Sequence, residues 1–467
     1  MRDRKKIAAA LLGAAVIVLT ISFSAFAEEN TRFVSGTSFN GVKVSGLTVE
    51  EAKAQIEGYF SGEYQLVIQR KDGKEETILG TDIGYQALVP GGLEEILAAQ
   101  NEGGRVSGPA ANNSHTLSLQ ISYDSAALEA KLQALDCVSG EGIVQTENAR
   151  ISAYQEGQEF TIVPEVRGNS LDPEKTKAAI EEALKQGAGE LNLLDAGCYE
   201  SVQVSESDPA LIQLCDTMNR YRAMTVTYQM GENTEVLGSE RICSWLSTDG
   251  NGQLQVSAEG IAAFVQELAA KYDTAGTSRT FHTVSGRDVA LTGPYGWKID
   301  QAGEAAALSQ LIASTTESQI KEPLYSQSAV QRSGSDWGNT YVEIDLTGQH
   351  VYMIQEGAVV WDAPCVTGNV AKNYTTPEGI YSLTYKEKDR ILRGAKQADG
   401  SYEYESHVDY WMPFNGGIGL HDANWRGSFG GTIYQTSGSH GCVNLPPAKA
   451  AALYDLVYKG IPVICYN

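Results

Sequence analysis

The residues best suited to chemistry stand together near the C-terminus, in the run Ser439-His440-Gly441-Cys442-Val443-Asn444. A thiol attacks as its thiolate, and a neighbouring imidazole can take the proton and leave an ion pair. Two of the six histidines are near in sequence, His440 two residues before Cys442 and His421 twenty-one before it. Gly441 allows a tight backbone conformation and a close approach of substrate to the sulfur. Pro446-Pro447 then opens an apolar-periodic run over 448–458 that Gly460 closes, the expected asymmetry of a helix. This order puts Cys442 just ahead of a helix N-terminus, whose partial positive charge favours a thiolate or an oxyanion. An isolated cysteine is more often a small buried hydrophobe. Zinc usually takes four ligands with paired short spacings, and the other cysteines, at 137, 198, 215, 243, 365 and 465, stand alone. No metal and no cofactor are expected.

His421 is the preferred base, because a separate strand end can present its ring to the sulfur whereas the turn holds His440. Asp422, Ser439 or a backbone carbonyl could orient the imidazole, as in a catalytic triad. The Asp422 side chain is favoured, although neighbours on a strand point to opposite faces and a bend is then required. The N–H groups of Gly441 and Cys442 are the natural oxyanion donors, each worth about 3–4 kcal/mol in the transition state. Asn444 either binds a substrate carbonyl or braces the turn. Trp425 and Tyr434, in the glycine-rich loop 424–438, are candidate substrate contacts.

His421 followed after seventeen residues by Ser-His-Gly-Cys-Val-Asn resembles the signature of the L,D-transpeptidase catalytic domain, from about Tyr341 onward. Thr376-Pro377-Glu378-Gly379 resembles that family's Thr-Pro-x-Gly turn. The resemblance implies a bacterial peptidoglycan stem tetrapeptide as donor, cleaved between its L-centre and D-Ala. The acyl group then passes to a side-chain amine of a neighbouring stem, giving a 3→3 cross-link. It also implies the same assignment of Cys442 and His421, and acylation of Cys442 by carbapenems. An L,D-carboxypeptidase using the same thiol and a wall-binding protein with a decayed catalytic domain are the alternatives. The stretch 44–52 (Val-Ser-Gly-Leu-Thr-x-Glu-Glu-Ala) and Tyr295-Gly296-Trp297 resemble the peptidoglycan-binding repeats found upstream of such domains. Tyr295 and Trp297 could stack on sugar faces, though buried aromatics are commoner.

The elements that must position these residues are legible in outline. A length of 467 residues accommodates two to four domains, and a formal charge of −23 argues against a nucleic-acid partner. Basic residues precede an uncharged run over 7–27, long enough to span a bilayer and ending in a small-x-small pattern that a signal peptidase could cut. The chain is therefore expected to be exported, its catalytic part held outside the cytoplasm by a single-pass anchor, or secreted if the segment is cleaved. No obligate protein partner is evident. Thr48 with Glu51 predicts a capping box, and Asp72-Gly73 a hairpin turn. A faint repeat pairs the strand-like segment 66–80 with 226–238, and a helix after Asp172 with one after Asp300.

The expected fold class is multidomain. After the transmembrane or signal segment 1–27 come α+β modules at 28–207 and 208–327, which either bind peptidoglycan or serve as spacers, then a linker at 328–339 and a mostly-β catalytic domain at 340–467. Residues 386–409 read as a lid over the active-site mouth.

Overall fold

The computed structural model describes residues 31–102, 113–249 and 252–467. The expected membrane segment lies outside them. Among the described residues no helix is long and apolar enough to cross a membrane. The chain forms two compact units, one made of residues up to 150 with 163–208, the other of 151–162 with 209–467.

In the first unit Thr48 caps the helix Val49–Gly62 through the expected reciprocal bonds with Glu51. The hairpin Gln65–Gln69 and Glu75–Leu79 gains a third, parallel strand at Glu190–Asn192. Gly73, with φ 79°, supplies the left-handed residue of its turn. Leu66, Ile68, Ile78, Ile180 and Leu184 form the core between this sheet and the helix Pro173–Gln186. The second unit repeats the plan. Val226–Met230 and Asn233–Leu237 form a hairpin whose first strand pairs in parallel with Gln319–Lys321. Asp172 and Asp300 cap the corresponding helices, Pro173–Gln186 and Gln301–Ser314, each accepting from a backbone N–H three residues on. The faint sequence repeat thus corresponds to one three-stranded arrangement used twice.

The C-terminal part of the second unit is a sandwich of two sheets. Strands β1 (Tyr341–Asp345), β2 (His350–Gln355), β3 (Ala358–Pro364) and β4 (Gly379–Ser382) build the first. The second holds β5 (Glu387–Arg393), β6 (Glu405–Asn415), β7 (Ile418–Asp422) and β8 (Val443–Leu445), with a short helix α1 (Ile433–Ser437) between β7 and β8. Helix α2 (Pro447–Leu456) packs on β6 and β7, and β9 (Pro462–Tyr466) returns to the first sheet. The orders are β3-β2-β1-β9-β4 and β5-β6-β7-β8. Alternating apolar residues from both inner faces, among them Val342, Ile344, Met353, Met412, Leu420, Val443 and Val463, fill the core with Leu453 of α2. The expected lid is a β-hairpin: β5 pairs with β6, which runs on unbroken into the core sheet.

Residues 328–339 connect the upstream module to this sandwich but are no slack tether. Asp336 is buried and accepts hydrogen bonds from Thr274 (2.5 Å) and Arg279 (2.6 Å). Trp337 lies in a core cluster with Phe281, Tyr295, Ile380, Ile464 and Tyr466. Tyr295 is therefore a core residue with no face open to a sugar. Its hydroxyl accepts from the Val330 N–H and donates to the Asp336 carbonyl. Trp297 donates to the Gln331 carbonyl and carries the Arg332 guanidinium over its ring.

The module is joined to the sandwich by backbone. Ile380 of β4 exchanges hydrogen bonds with Thr292 and Tyr295, so this segment covers a sheet edge that would otherwise be open to pairing. Gly293 lies between them, where a Cβ would stand 2.2 Å from the Ile380 carbonyl oxygen. Gly293→Ala is expected to destabilise the second unit by about 1–3 kcal/mol, read as a lowered Tm in thermal unfolding; an unchanged Tm would show that this edge yields freely.

Candidate active site

Strand β7 is apolar at Ile418 and Leu420 and ends in His421-Asp422, and β8 pairs with it in parallel. The register sets Leu420 opposite Val443 and His421 opposite Asn444, so Cys442, the residue before β8, comes level with the strand that carries the histidine. Cys442, His421, His440, Ser439, Asn444 and Trp425 line one cleft of about 240 Å³, with Leu392, Tyr404 and Ser406 of the hairpin on its rim. Tyr434 is not among the lining residues; its carbonyl accepts from the Val370 N–H.

Side-chain orientation at the histidine follows from which atoms can donate. A guanidinium only donates, so the Arg426 Nε, 2.7 Å from Asn444, faces the amide oxygen. The Asn444 nitrogen then donates to His421 Nε2 at 3.0 Å, which requires a lone pair there. The proton of the neutral ring is on Nδ1, donated to the Asp422 carbonyl at 2.7 Å. Asn444 is therefore a brace, with both ends of its amide engaged. The Asp422 carboxylate does not orient the imidazole, as the alternation of a strand dictates. It turns away to accept from the Tyr410 N–H at 2.8 Å, and its other oxygen is buried without a partner among the described residues. The backbone carbonyl of the same residue does the orienting.

Ser439 also departs from expectation. Its hydroxyl donates to the Cys442 carbonyl at 2.5 Å and accepts from the Gly441 N–H at 3.0 Å. One of the two expected oxyanion donors is thereby consumed, while the Cys442 N–H has no protein acceptor among the described residues. Gly441 has φ 116°, a conformation that favours glycine, and a Cβ there would stand 3.2 Å from Ile418. Thr376 of the Thr-Pro-x-Gly turn ties the turn down, donating to the Gly441 carbonyl at 2.7 Å. Antiparallel backbone bonds between Val366 and Asn444 hold its far end. His440 stands at the mouth, its ring between Tyr374 and Tyr404 (centroids 4.7 and 4.6 Å) and its Nε2 3.5 Å from Glu403.

The resting thiol and imidazole are both neutral. The Cys442 thiol donates to the Gly417 carbonyl at 3.6 Å, and burial pushes its pKa up to about 11. Burial likewise lowers the His421 pKa, outweighing its bond to the Asp422 carbonyl. Both shifts oppose a thiolate–imidazolium pair in the empty cleft. The helix N-terminus does not reverse this, because the three residues of β8 and Pro446 separate Cys442 from α2. Sequence reasoning missed Arg426 and the role of Thr376. The one signal for Arg426 was its being the sole Lys or Arg in the loop 424–438. All seven cysteines are free.

A family model of the L,D-transpeptidase catalytic domain matches residues 339–465. A second, described as "putative peptidoglycan binding domain", matches residues 77–192. A crystal structure of an Enterococcus faecium L,D-transpeptidase mutant is 31% identical over 54% of this chain and 99% of that one, with a TM-score of 0.46. The catalytic domain from E. faecium L,D-transpeptidase acylated by ertapenem is 39% identical over 28% of this chain and 98% of that one, with a TM-score of 0.25. No curated protein sequence matches the chain.

A thiol with its pKa near 11 is mostly protonated at neutral pH. Alkylation of Cys442 by a small neutral reagent is therefore expected to accelerate as pH rises toward 11, about tenfold per pH unit below the pKa. A rate already level at pH 7 would mean that a thiolate is stored in the resting enzyme.

Proposed function

The chain belongs to the L,D-transpeptidase family, and from that premise we propose that Cys442 carries the acyl group of a peptidoglycan stem tetrapeptide. The observation supporting this most directly is the β7–β8 register, which puts a thiol, an imidazole with a basic Nε2 and a free N–H on one cleft. The thiol leaves the Gly417 carbonyl, and the Asn444 amide must yield Nε2, before His421 can take the proton. The sulfur attacks the carbonyl between the L-centre and D-Ala, and the oxyanion takes the Cys442 N–H. His421 returns the proton to the departing amine, D-Ala leaves and a thioester remains. A side-chain amine of a second stem attacks the thioester and its proton passes to His421, then back to the sulfur. The product is a 3→3 cross-link.

Because both groups are neutral at rest, the proton transfer belongs to the step of substrate attack, a task for which a positioned base typically contributes about 10²–10⁴-fold. The upstream modules, with residues 77–192 matching a peptidoglycan-binding model, support retention of the enzyme at the wall. The apolar run 7–27 would anchor the chain in the membrane with its catalytic domain outside the cytoplasm. No metal enters the scheme.

Mass spectrometry of muropeptides incubated with the protein tests this reading. Cross-linked dimers with released D-Ala are expected. Shortened monomers alone would indicate a carboxypeptidase, and unchanged muropeptides with sedimentation on sacculi a binding protein. Cys442→Ala is expected to abolish turnover, and His421→Ala to reduce it by at least about 10²-fold. A carbapenem is expected to add its mass to the chain, and not to the Cys442→Ala variant.

A further inference from the structure

The cleft contains a cation to which the scheme above gives no part. Arg426 is the only Lys or Arg among the residues lining it, and no Asp or Glu is among them. The guanidinium is held from two sides, Nε donating to Asn444 (2.7 Å) and Nη1 to the Ser437 carbonyl (2.8 Å). Its third nitrogen, Nη2, has no protein partner among the described residues. A partly buried arginine with an unused donor on a cleft wall free of carboxylates is a fixed site for an anion.

The position identifies the anion. Arg426 is one amide side chain away from the catalytic imidazole, through Asn444 to His421 Nε2 at 3.0 Å. The leaving group of the proposed reaction is an α-amino acid, whose nitrogen must come to that Nε2 and whose carboxylate is one carbon from the nitrogen. We infer that Arg426 binds the C-terminal carboxylate of the donor stem and so selects donors that end one residue beyond the scissile bond. This rests on the transpeptidase reading and deepens it. A donor extended by one residue, or one amidated at its terminus, presents a neutral amide to Nη2 and forfeits a charge-assisted bond.

The experiment compares a tetrapeptide donor ending in free D-alanine with the same donor ending in D-alaninamide. Binding is measured calorimetrically on the full chain carrying Cys442→Ala, alone and combined with Arg426→Gln or Arg426→Lys. The free acid is expected to bind roughly 10- to 100-fold more tightly than the amide. Arg426→Gln should bring that ratio close to one, and Arg426→Lys should restore part of it. Equal affinity for the two donors with Arg426 in place would overturn the inference, as would a ratio that survives Arg426→Gln. Arg426→Gln weakening both donors alike, with alkylation of Cys442 altered in parallel in the Cys442 chain, would make Arg426 only a brace for Asn444. Turnover by the Cys442 chain is followed separately. Its absence with both donors would count against the transpeptidase reading, while the binding ratio still decides the role of Arg426.

Discussion

Every feature of the site depends on one short parallel pairing, that of Val443–Leu445 with Leu420–Asp422. Parallel neighbours cannot be joined by a tight turn, so the chain between them must leave the sheet and return, and the catalytic turn is the end of that return. A slip of one residue would turn Val443 and Leu445 out of the apolar core and put Asn444 into it. The register is fixed by the burial of Val443 and Leu445 and by the Val366–Asn444 bonds on the other side. Thr376 and Ser439 then hold the backbone of the turn, leaving the Cys442 N–H available.

Burial acts on the two reacting groups in opposite directions and with one result. It raises the thiol and lowers the imidazole, so both shifts oppose charge separation in the empty cleft. Arg426 adds to this, since its positive charge also disfavours an imidazolium at His421. The hydrogen-bond chain Arg426–Asn444–His421–Asp422 fixes one tautomer, with the basic nitrogen toward the cleft. In the proposed mechanism, activation of the sulfur is accordingly left to the arrival of substrate.

How much of this the chain announces depends on the range of the interaction. Local signals were readable: the Thr48 capping box, the Asp72-Gly73 turn and the placement of His421 at a strand end all follow from neighbours a few residues apart. The repeat was readable because two aspartates cap equivalent helices. Competition between partners was not. A hydroxyl beside a free amide can bond to either side, so nothing in Ser439-His440-Gly441 tells that the serine takes the Gly441 N–H. The proline pair drew attention to α2 and concealed β8, a three-residue strand too short to show a period. Asp336 and Trp337 sat in a polar, glycine-containing stretch whose partners, Arg279 and the buried Phe281, lie more than fifty residues upstream.

The catalytic sheet has its last strand in the interior. Strand β9 lies between β1 and β4, parallel to the first and antiparallel to the second, and it carries Val463 and Cys465 into the core. Until those residues emerge during synthesis, β1 and β4 have no common neighbour, and the sheet stays open in two pieces with exposed edges. The sheet therefore closes only once this strand is in place, and the sandwich that carries the thiol is completed late in folding.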